Sequence, residues 1–235
     1  MIEIKDLKLL GSGSKLRLNI PHFIMKPPGI MAIVGHNGAG KSSLLNVIAG
    51  FEKPFYGCVS YEGKNTFTSF EELKHKIHLI SWGISLYQNM SGQDHLNLIK
   101  GLSKTWNTEI ENELTKDFLI SMDKKVDLLS RGEQAKLRLL LSLPRMPSVV
   151  LLDEVTNELD TDSRRAIYKK LDFYSFETNS QIIVATNMVD DIERYATTVA
   201  VIKEGEVVLN GNLDAIKEER KASFEDIVRL FERNG

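Results

Sequence analysis

The stretch Gly35-His36-Asn37-Gly38-Ala39-Gly40-Lys41-Ser42 sits between two apolar segments. Before it runs Ile30-Met31-Ala32-Ile33-Val34, which fits a buried parallel strand. After it runs Ser42-Ser43-Leu44-Leu45-Asn46-Val47-Ile48-Ala49, whose apolar residues recur at helical spacing and stop at Gly50. The order is strand, glycine-rich turn, helix. The string matches G-x-x-x-x-G-K-[ST], in which glycines let the backbone wrap and point successive N–H groups at phosphate oxygens. The helix behind adds the positive end of its dipole. Lys41 then reaches β- and γ-phosphates, and the Ser42 hydroxyl ligates Mg²⁺. A glycine-rich surface turn can satisfy the same fixed positions by chance. The strand before and the helix after are the context that separates the two readings, and they favour phosphate binding.

Asp153-Glu154 directly follows the apolar run Val149–Leu152. A carboxylate at the C-terminal end of a buried strand emerges beside a neighbouring phosphate loop, because ligand sites in α/β sheets lie there. Asp153 suits Mg²⁺, and Glu154 is placed to orient or deprotonate an attacking water. A helix-capping or salt-bridging acidic pair is the plain alternative. The phosphate loop in the same chain tips the reading towards chemistry.

Working outward, Cys58–Tyr61 with Glu62-Gly63-Lys64 reads as a hairpin, and Lys76–Ile80 and Gln181–Ala185 as further strands. From about Gln93 to Asp127 the pattern is helical, and Glu133–Leu143 is a helix closed by Pro144. Thr198–Ile202 and Val207–Leu209 form a second hairpin, and the tail Leu213–Phe231 is helical and charged. An α/β core interrupted by an all-α insertion follows from this order. Lys plus Arg is 30 and Asp plus Glu is 32, a net charge of −2, so no basic excess argues for a nucleic-acid partner. Cys58 is the only cysteine, which excludes an intrachain disulfide framework and a thiolate-rich zinc site. His22, His75, His78 and His95 lack metal-ligand spacing and read as solvated or packing residues. No apolar run approaches the roughly 18 residues of a membrane span, and the charged start lacks a signal-peptide core. A cytoplasmic chain is the expectation.

Leu129-Ser130-Arg131-Gly132-Glu133-Gln134 opens the strong helix. Ser130 with Glu133 makes a capping box, yet Gly132 in a first turn is otherwise unfavourable. Small residues at a helix N-terminus also form a phosphate-binding end. With this third motif the chain resembles the nucleotide-binding domain of an ATP-binding cassette (ABC) transporter, from about Met1 to Gly211. Gly35–Ser42 is similar to the family's Walker A motif, Leu129–Gln134 to its signature, and Val149–Glu154 to Walker B. Asn157-Glu158-Leu159-Asp160 is similar to the D-loop. The resemblance implies one α/β domain over residues 1–235 built on a P-loop NTPase core with a mainly parallel sheet. It implies a nucleotide-binding core with an antiparallel β subdomain in 1–82 and 145–235, and a helical subdomain in 83–144. ATP and Mg²⁺ are the implied cofactors. Lys41 and Glu154 would be catalytic, and Ser42 and Asp153 would hold the metal. Gly35, His36, Asn37, Gly38, Ala39, Gly40, Lys41, Ser42, Ser43 and Asn187 would contact nucleotide. Ser130, Gly132, Glu133 and Asp160 would do so across a head-to-tail dimer of the chain with a second ABC subunit, itself the expected partner. A membrane-spanning transporter subunit on a separate chain is the other implied partner, with this chain peripheral on the inner face of the membrane.

Three departures from the family pattern stand out. Trp82 holds the place of a Gln that touches metal and water; indole is a donor only. Asn187 holds the place of the switch histidine and cannot take a positive charge. No aromatic lies near Gly11–Ser14 to stack on adenine. Val155 for Pro is minor. These departures bear on rate, so slow ATPase activity is expected, with an ATP-dependent dimeric clamp of little turnover as the alternative. A soluble ABC ATPase of nucleic-acid repair or cofactor assembly is disfavoured by the short length and by the lack of a coiled coil or Cys cluster. Trp82, Tyr87, Trp106 and Phe118 fit either a docking groove for a membrane partner or a helical core.

Overall fold

The strand that leads into the glycine loop, β3 (Gly29–Val34), is buried at all six positions. In the computed structural model, which describes residues 1–11, 13 and 15–233, it lies inside a six-stranded sheet. There β3 pairs in parallel with β8 (Gln181–Thr186) on one side and β9 (Ala196–Lys203) on the other. Beyond β8 come β7 (Val149–Asp153) and the edge strand β6 (Ile77–Ser81), both parallel. The hairpin partner β10 (Glu206–Asn212) closes the opposite edge antiparallel to β9.

Both faces of this sheet are covered, which is why its strands read as unbroken apolar runs. Side chains alternate across a strand, and the alternation splits the core in two. Ile30, Ala32 and Val34 face one cluster, with Leu137 and Leu140 of α5 (Arg131–Ser142) and Ile167 and Leu171 of α6 (Thr161–Thr178). Met31 and Ile33 face the other, with Leu44, Leu45 and Ile48 of α1 (Lys41–Ile48). That second core is closed by a four-stranded antiparallel sheet in the order β2-β1-β4-β5. Its strands are β1 (Ile2–Leu10), β2 (Leu16–Met25), β4 (Tyr56–Tyr61) and β5 (Lys64–Asn65). Ile2, Ile4, Leu7, Leu18 and Ile20 point inward from it. A short helix, α2 (Phe70–Leu73), leads to β6.

Between β6 and β7 lie α3 (Gly92–Leu102), α4 (Thr108–Phe118) and α5, matching the helical reading of that stretch. The strong helix ends at Ser142, and Pro144 sits in a single 3-10 turn after it. The tail is two helices rather than one. Lys221, with φ of 50°, turns the chain between α8 (Leu213–Arg220) and α9 (Phe224–Arg233). That turn lets Phe224, Ile227 and Val228 pack into the first core. A further short helix, α7 (Val189–Ile192), lies between β8 and β9.

One buried ion cluster ties the loops after β7 and β8 together. Arg164 Nε donates to Asp191 Oδ2 at 2.7 Å, while its Nη1 donates to the carbonyls of Leu159 (3.1 Å) and Thr156 (3.3 Å). Arg165 Nε donates to Asp191 Oδ1 at 3.1 Å. Burial pushes the Asp191 carboxyl up, but its bonds to the two guanidinium groups outweigh burial and hold it below the ordinary carboxylate range.

Two stability outcomes follow. In β4, Gly57 has φ of 74°, and a Cβ there would run into the carbonyl oxygens of Lys5 and Asp6. Gly57→Ala should therefore destabilise the fold by at least about 2 kcal/mol in denaturant unfolding. Asp191→Asn leaves buried Arg164 without its counter-charge and should cost about 3 kcal/mol at neutral pH. Because the folded carboxyl is depressed, the wild-type advantage is present above the ordinary carboxylate range. It should fade as pH falls through the folded value, so unfolding curves of the two proteins converge in acid.

Candidate nucleotide site

Four parallel strands end within one register step of each other. Ser81 pairs with Asp153, Asp153 with Ala185, and Val34 with Thr186. The residues that come next, Trp82, Glu154, Asn187 and Gly35, therefore leave the sheet along one edge. This is where ligands bind in open α/β sheets.

The phosphate loop runs from Gly35 to α1. A Cβ at Gly35 would strike the carbonyl oxygen of Ile202, so the loop can pass this close to β9 only as glycine. His36, Asn37 and Gly38 are exposed at the tip, and Ala39 and Gly40 are buried. His36 Nδ1 lies 2.9 Å from the Asn37 carbonyl, a local contact. Gly40 caps α1, and its carbonyl accepts from the Leu44 N–H at 2.9 Å.

Lys41 is only 3% exposed. Its ammonium donates to the carbonyls of Gly35 (2.7 Å) and His36 (3.1 Å) and pairs with Glu154 Oε1 at 3.2 Å. A buried cation needs such partners. Ser42 Oγ donates to Asp153 Oδ1 at 2.8 Å. Burial raises the Asp153 carboxyl above its ordinary range; the Ser42 bond and Lys41 oppose this, and Glu154 adds to it. Glu154 itself sits in the left-handed region, φ 54°, with its N–H donating to the Ala185 carbonyl at 3.1 Å. A non-glycine residue held there costs on the order of 1 kcal/mol or more, a strain that recurs at working sites.

Ser42, Asp153, Glu154 and Trp82 share the walls of an open cleft of about 410 Å³. Ser43 is half-buried behind Ser42. Asn187 reaches the loop as well: its Nδ2 lies 3.4 Å from Asn37 Oδ1. Gln88 does not reach the cleft and bonds the Leu86 carbonyl instead. The loop near Gly11–Ser14 includes residues 12 and 14, which lie outside the described residues. Phe23 packs in the core from β2.

Oxygen donors in this cleft suit a hard divalent cation: a serine hydroxyl and a carboxylate whose charge burial leaves undercompensated. Among the described residues no three His, Cys, Asp or Glu side chains gather as a metal site. Mg²⁺ bound here would complete its shell with phosphate oxygens and water.

The third motif lies elsewhere. Ser130 caps α5: the Glu133 N–H donates to Ser130 Oγ at 3.1 Å, and the Ser130 N–H donates back to Glu133 Oε2 at 3.0 Å. Glu133 Oε1 accepts from the Ser121 N–H at 3.1 Å. Burial opposes ionisation of this carboxyl, but its hydrogen bonds to Ser130 and Ser121 prevail and hold it down at about 2. Glu133 is thus committed to the cap. A Cβ at Gly132 would meet only Ser163 Oγ and Ser130 Oγ, at ordinary contact distances of 3.6 and 3.9 Å. This chain's own packing does not demand glycine there. Asp160 caps α6, accepting from the Ser163 N–H at 2.8 Å. No hydrogen bond among the described residues joins Ser130 or Gly132 to the phosphate loop.

The four aromatics divide. Phe118 is core, Trp106 is half-buried with its indole N–H donating to Glu111 at 2.6 Å, and Trp82 lines the cleft. Tyr87, 67% exposed, lines a separate groove of about 330 Å³ between β6, α3 and α5, with Phe51, Ile84 and Leu98. Of the histidines, His78 and His95 are buried. Burial, with the charge of Arg145, pushes His78 down to about 3, and its Nδ1 contacts Ser142 Oγ at 2.9 Å. His95 Nε2 accepts from the Tyr87 N–H at 3.0 Å. The sequence reading did not find Arg131, Arg138, Arg164 or Asp191 as contributors. Arg131 meets Trp82, Arg138 the Ile84 carbonyl and Arg164 Asp191, each at least 27 residues away in sequence, and no local pattern marks them.

Comparison with known proteins sets this geometry in context. Residues 18–157, more than half the chain, match a family model described as ABC transporter. The lantibiotic transport ATP-binding protein SrtF of Streptococcus pyogenes is 27% identical over 215 residues, covering 91% of this chain and 92% of that relative. ABC transporter ATP-binding protein NatA of Bacillus subtilis is 26% identical over 208 residues, covering 86% and 83%. The structure of cbiO1 from Clostridium perfringens, described as part of the ABC transporter complex cbiONQ, aligns with a TM-score of 0.80. It is 25% identical and covers 98% of both chains. The family match takes in the phosphate loop, the capped signature helix and the Asp153-Glu154 pair, and the chain belongs to the ABC transporter family.

Proposed function

We propose that this chain is the ATP-binding and ATP-hydrolysing subunit of a transporter whose membrane-spanning part is a separate chain. The observation that carries the reading is the pairing of Lys41 with Glu154 beside the Ser42–Asp153 contact, all at one sheet edge. A buried ammonium held by loop carbonyls is a preorganised seat for phosphate charge. Residues 1–82 and 145–235 form the nucleotide-binding unit in this reading, and 83–144 the helical subdomain that carries the signature.

Each residue has a role that its geometry supports. Lys41 holds β/γ-phosphate charge, while Gly35 to Ser43 offer backbone and hydroxyl donors. Ser42 and Asp153 hold Mg²⁺, which supplies charge neutralisation at the phosphates. Glu154 accepts a proton from, or orients, the attacking water. Asn187 donates an amide hydrogen bond on the loop side but carries no charge. Ser130 and Gly132 serve a nucleotide held by a second copy, with Glu133 fixing the helix end and Asp160 the neighbouring one. The uncrowded Gly132 is consistent with a visitor from outside the chain. Among the described residues no helix is long and apolar enough to cross a membrane. Contact with the membrane therefore runs through the partner, an apolar segment of which has a seat in the groove of Phe51, Tyr87 and Leu98. The chain is then peripheral on the inner face of the membrane.

A second reading, an ATP-dependent dimeric clamp with little turnover, is favoured by Trp82 and Asn187. Phosphate release separates the two. Lys41→Ala should weaken ATP binding about tenfold or more in calorimetry and abolish turnover. Glu154→Gln keeps shape but loses the base, so it should lower the rate by at least about a hundredfold and trap an ATP-dependent dimer in sedimentation. Unchanged ATP affinity in Lys41→Ala would sink the phosphate-loop assignment. Wild type no faster than Glu154→Gln would leave the clamp.

Asn187→His tests the weakened switch. Imidazole can carry charge towards a developing phosphate oxyanion. Turnover at saturating Mg-ATP should rise, by up to about a hundredfold if the position acts as a full preorganised donor. No gain would mean that the missing charge does not limit the reaction.

A further inference from the structure

Trp82 is the departure from the family pattern with the most unusual surroundings. Two guanidinium groups stack on its ring, with Arg131 Cζ at 4.7 Å and Arg138 Cζ at 5.0 Å from the centroid. Both arginines belong to α5, seven residues apart, and so share one helix face. Each has a second partner. Arg131 Nε is 3.3 Å from Glu158 Oε2 in the loop after β7, and Arg138 donates to the Ile84 carbonyl just past Trp82. The indole also forms a wall of the cleft that holds Ser42, Asp153 and Glu154. Its N–H is buried and has no acceptor among the described residues.

A residue that merely filled space would not need this arrangement. Two cations on one ring repel each other; the charge of Arg131, together with the larger effect of burial, lowers the Arg138 guanidinium. The π face attracts both, and Glu158 and the Ile84 carbonyl hold them in place. Ser130 and Gly132 stand at the N-terminus of the helix thus gripped, and Arg131 lies between them in sequence.

We infer that Trp82 is a positioning residue: through its stack with Arg131 and Arg138 it fixes α5, and with it Ser130 and Gly132, relative to the phosphate cleft. The inference rests on the nucleotide-binding reading above. Phosphates in the cleft would bring negative charge to an indole that already carries two cations on its ring. Any turn of the ring in response carries α5 with it. The chain thereby uses an aromatic-cation contact at the place where the family pattern has a polar side chain.

The chain has two tryptophans, so Trp106→Phe leaves Trp82 as the sole indole. In that background, Mg-ATP titration should change Trp82 emission saturably, with the midpoint that calorimetry gives for binding. Arg131→Met should shrink the emission change while leaving the calorimetric midpoint within about twofold, since it removes one cation from the ring and none from the phosphate loop. In turnover, Trp82→Leu should lower kcat about five- to tenfold with little change in KM, and Trp82→Phe, which keeps a π face, should restore most of it. Binding heat without any emission change would overturn the inference alone. So would equal kcat values for the Leu and Phe variants. Absence of binding heat would overturn the nucleotide reading and this inference with it. The emission arm needs neither turnover nor a folded Leu variant.

Discussion

The parallel ladder through β6, β7, β8 and β3 is the constraint on which the site depends. Those strands share a direction, and their register brings Ser81, Asp153, Ala185 and Val34 to nearly the same level. Whatever follows each strand must emerge at one edge. The chemistry is therefore placed by backbone hydrogen bonds made among buried apolar residues, and the functional side chains add little to their own positioning. The two hydrophobic cores hold the ladder from both faces. Neither core could be removed without exposing alternate residues of every central strand.

Rigidity at the edge is then supplied by polar contacts between loops. Arg164 and Asp191 lock the loop after β7 to the segment after β8, and Thr186 Oγ1 donates to Asn157 Oδ1 at 2.7 Å between the same two loops. Glu154 keeps its left-handed backbone in this setting. Its neighbour Val155 is buried, so the strained residue is anchored on the side facing the core.

Much of this could be read from the chain, and the division follows contact range. The strand-loop-helix around Lys41, the apolar run before Asp153 and the capping box at Ser130 are local patterns, and local patterns are what periodicity and caps report. In the antiparallel sheet the β4–β5 hairpin is a local pattern, whereas its pairing with β1 and β2 is implied only by the family resemblance. Ile2-x-Ile4 and Leu18-x-Ile20 do alternate, but charged and polar residues interrupt β1 and β2. The break at Lys221 carried no glycine or proline to announce it. The arginines escaped notice for a different reason. On a helix in isolation, Arg131, Arg138 and Arg164 look like a solvated face. Only the fold puts an indole beside the first two and a buried carboxylate beside the third.

In the proposed reading, the contact between Lys41 and Glu154 links binding to catalysis. The ammonium is held by two carbonyls and one carboxylate. A γ-phosphate bound as proposed would bring more negative charge than the Glu154 carboxylate, so Coulomb attraction would favour it as the ammonium's partner. The Glu154 backbone is pinned by the N–H bond to Ala185 and by buried Val155, so its carboxylate would stay at the cleft wall, within reach of a water. In that reading the carboxylate that pairs with the lysine is also the group that the reaction needs at the water, and the substrate charge that takes the lysine's seat would release it.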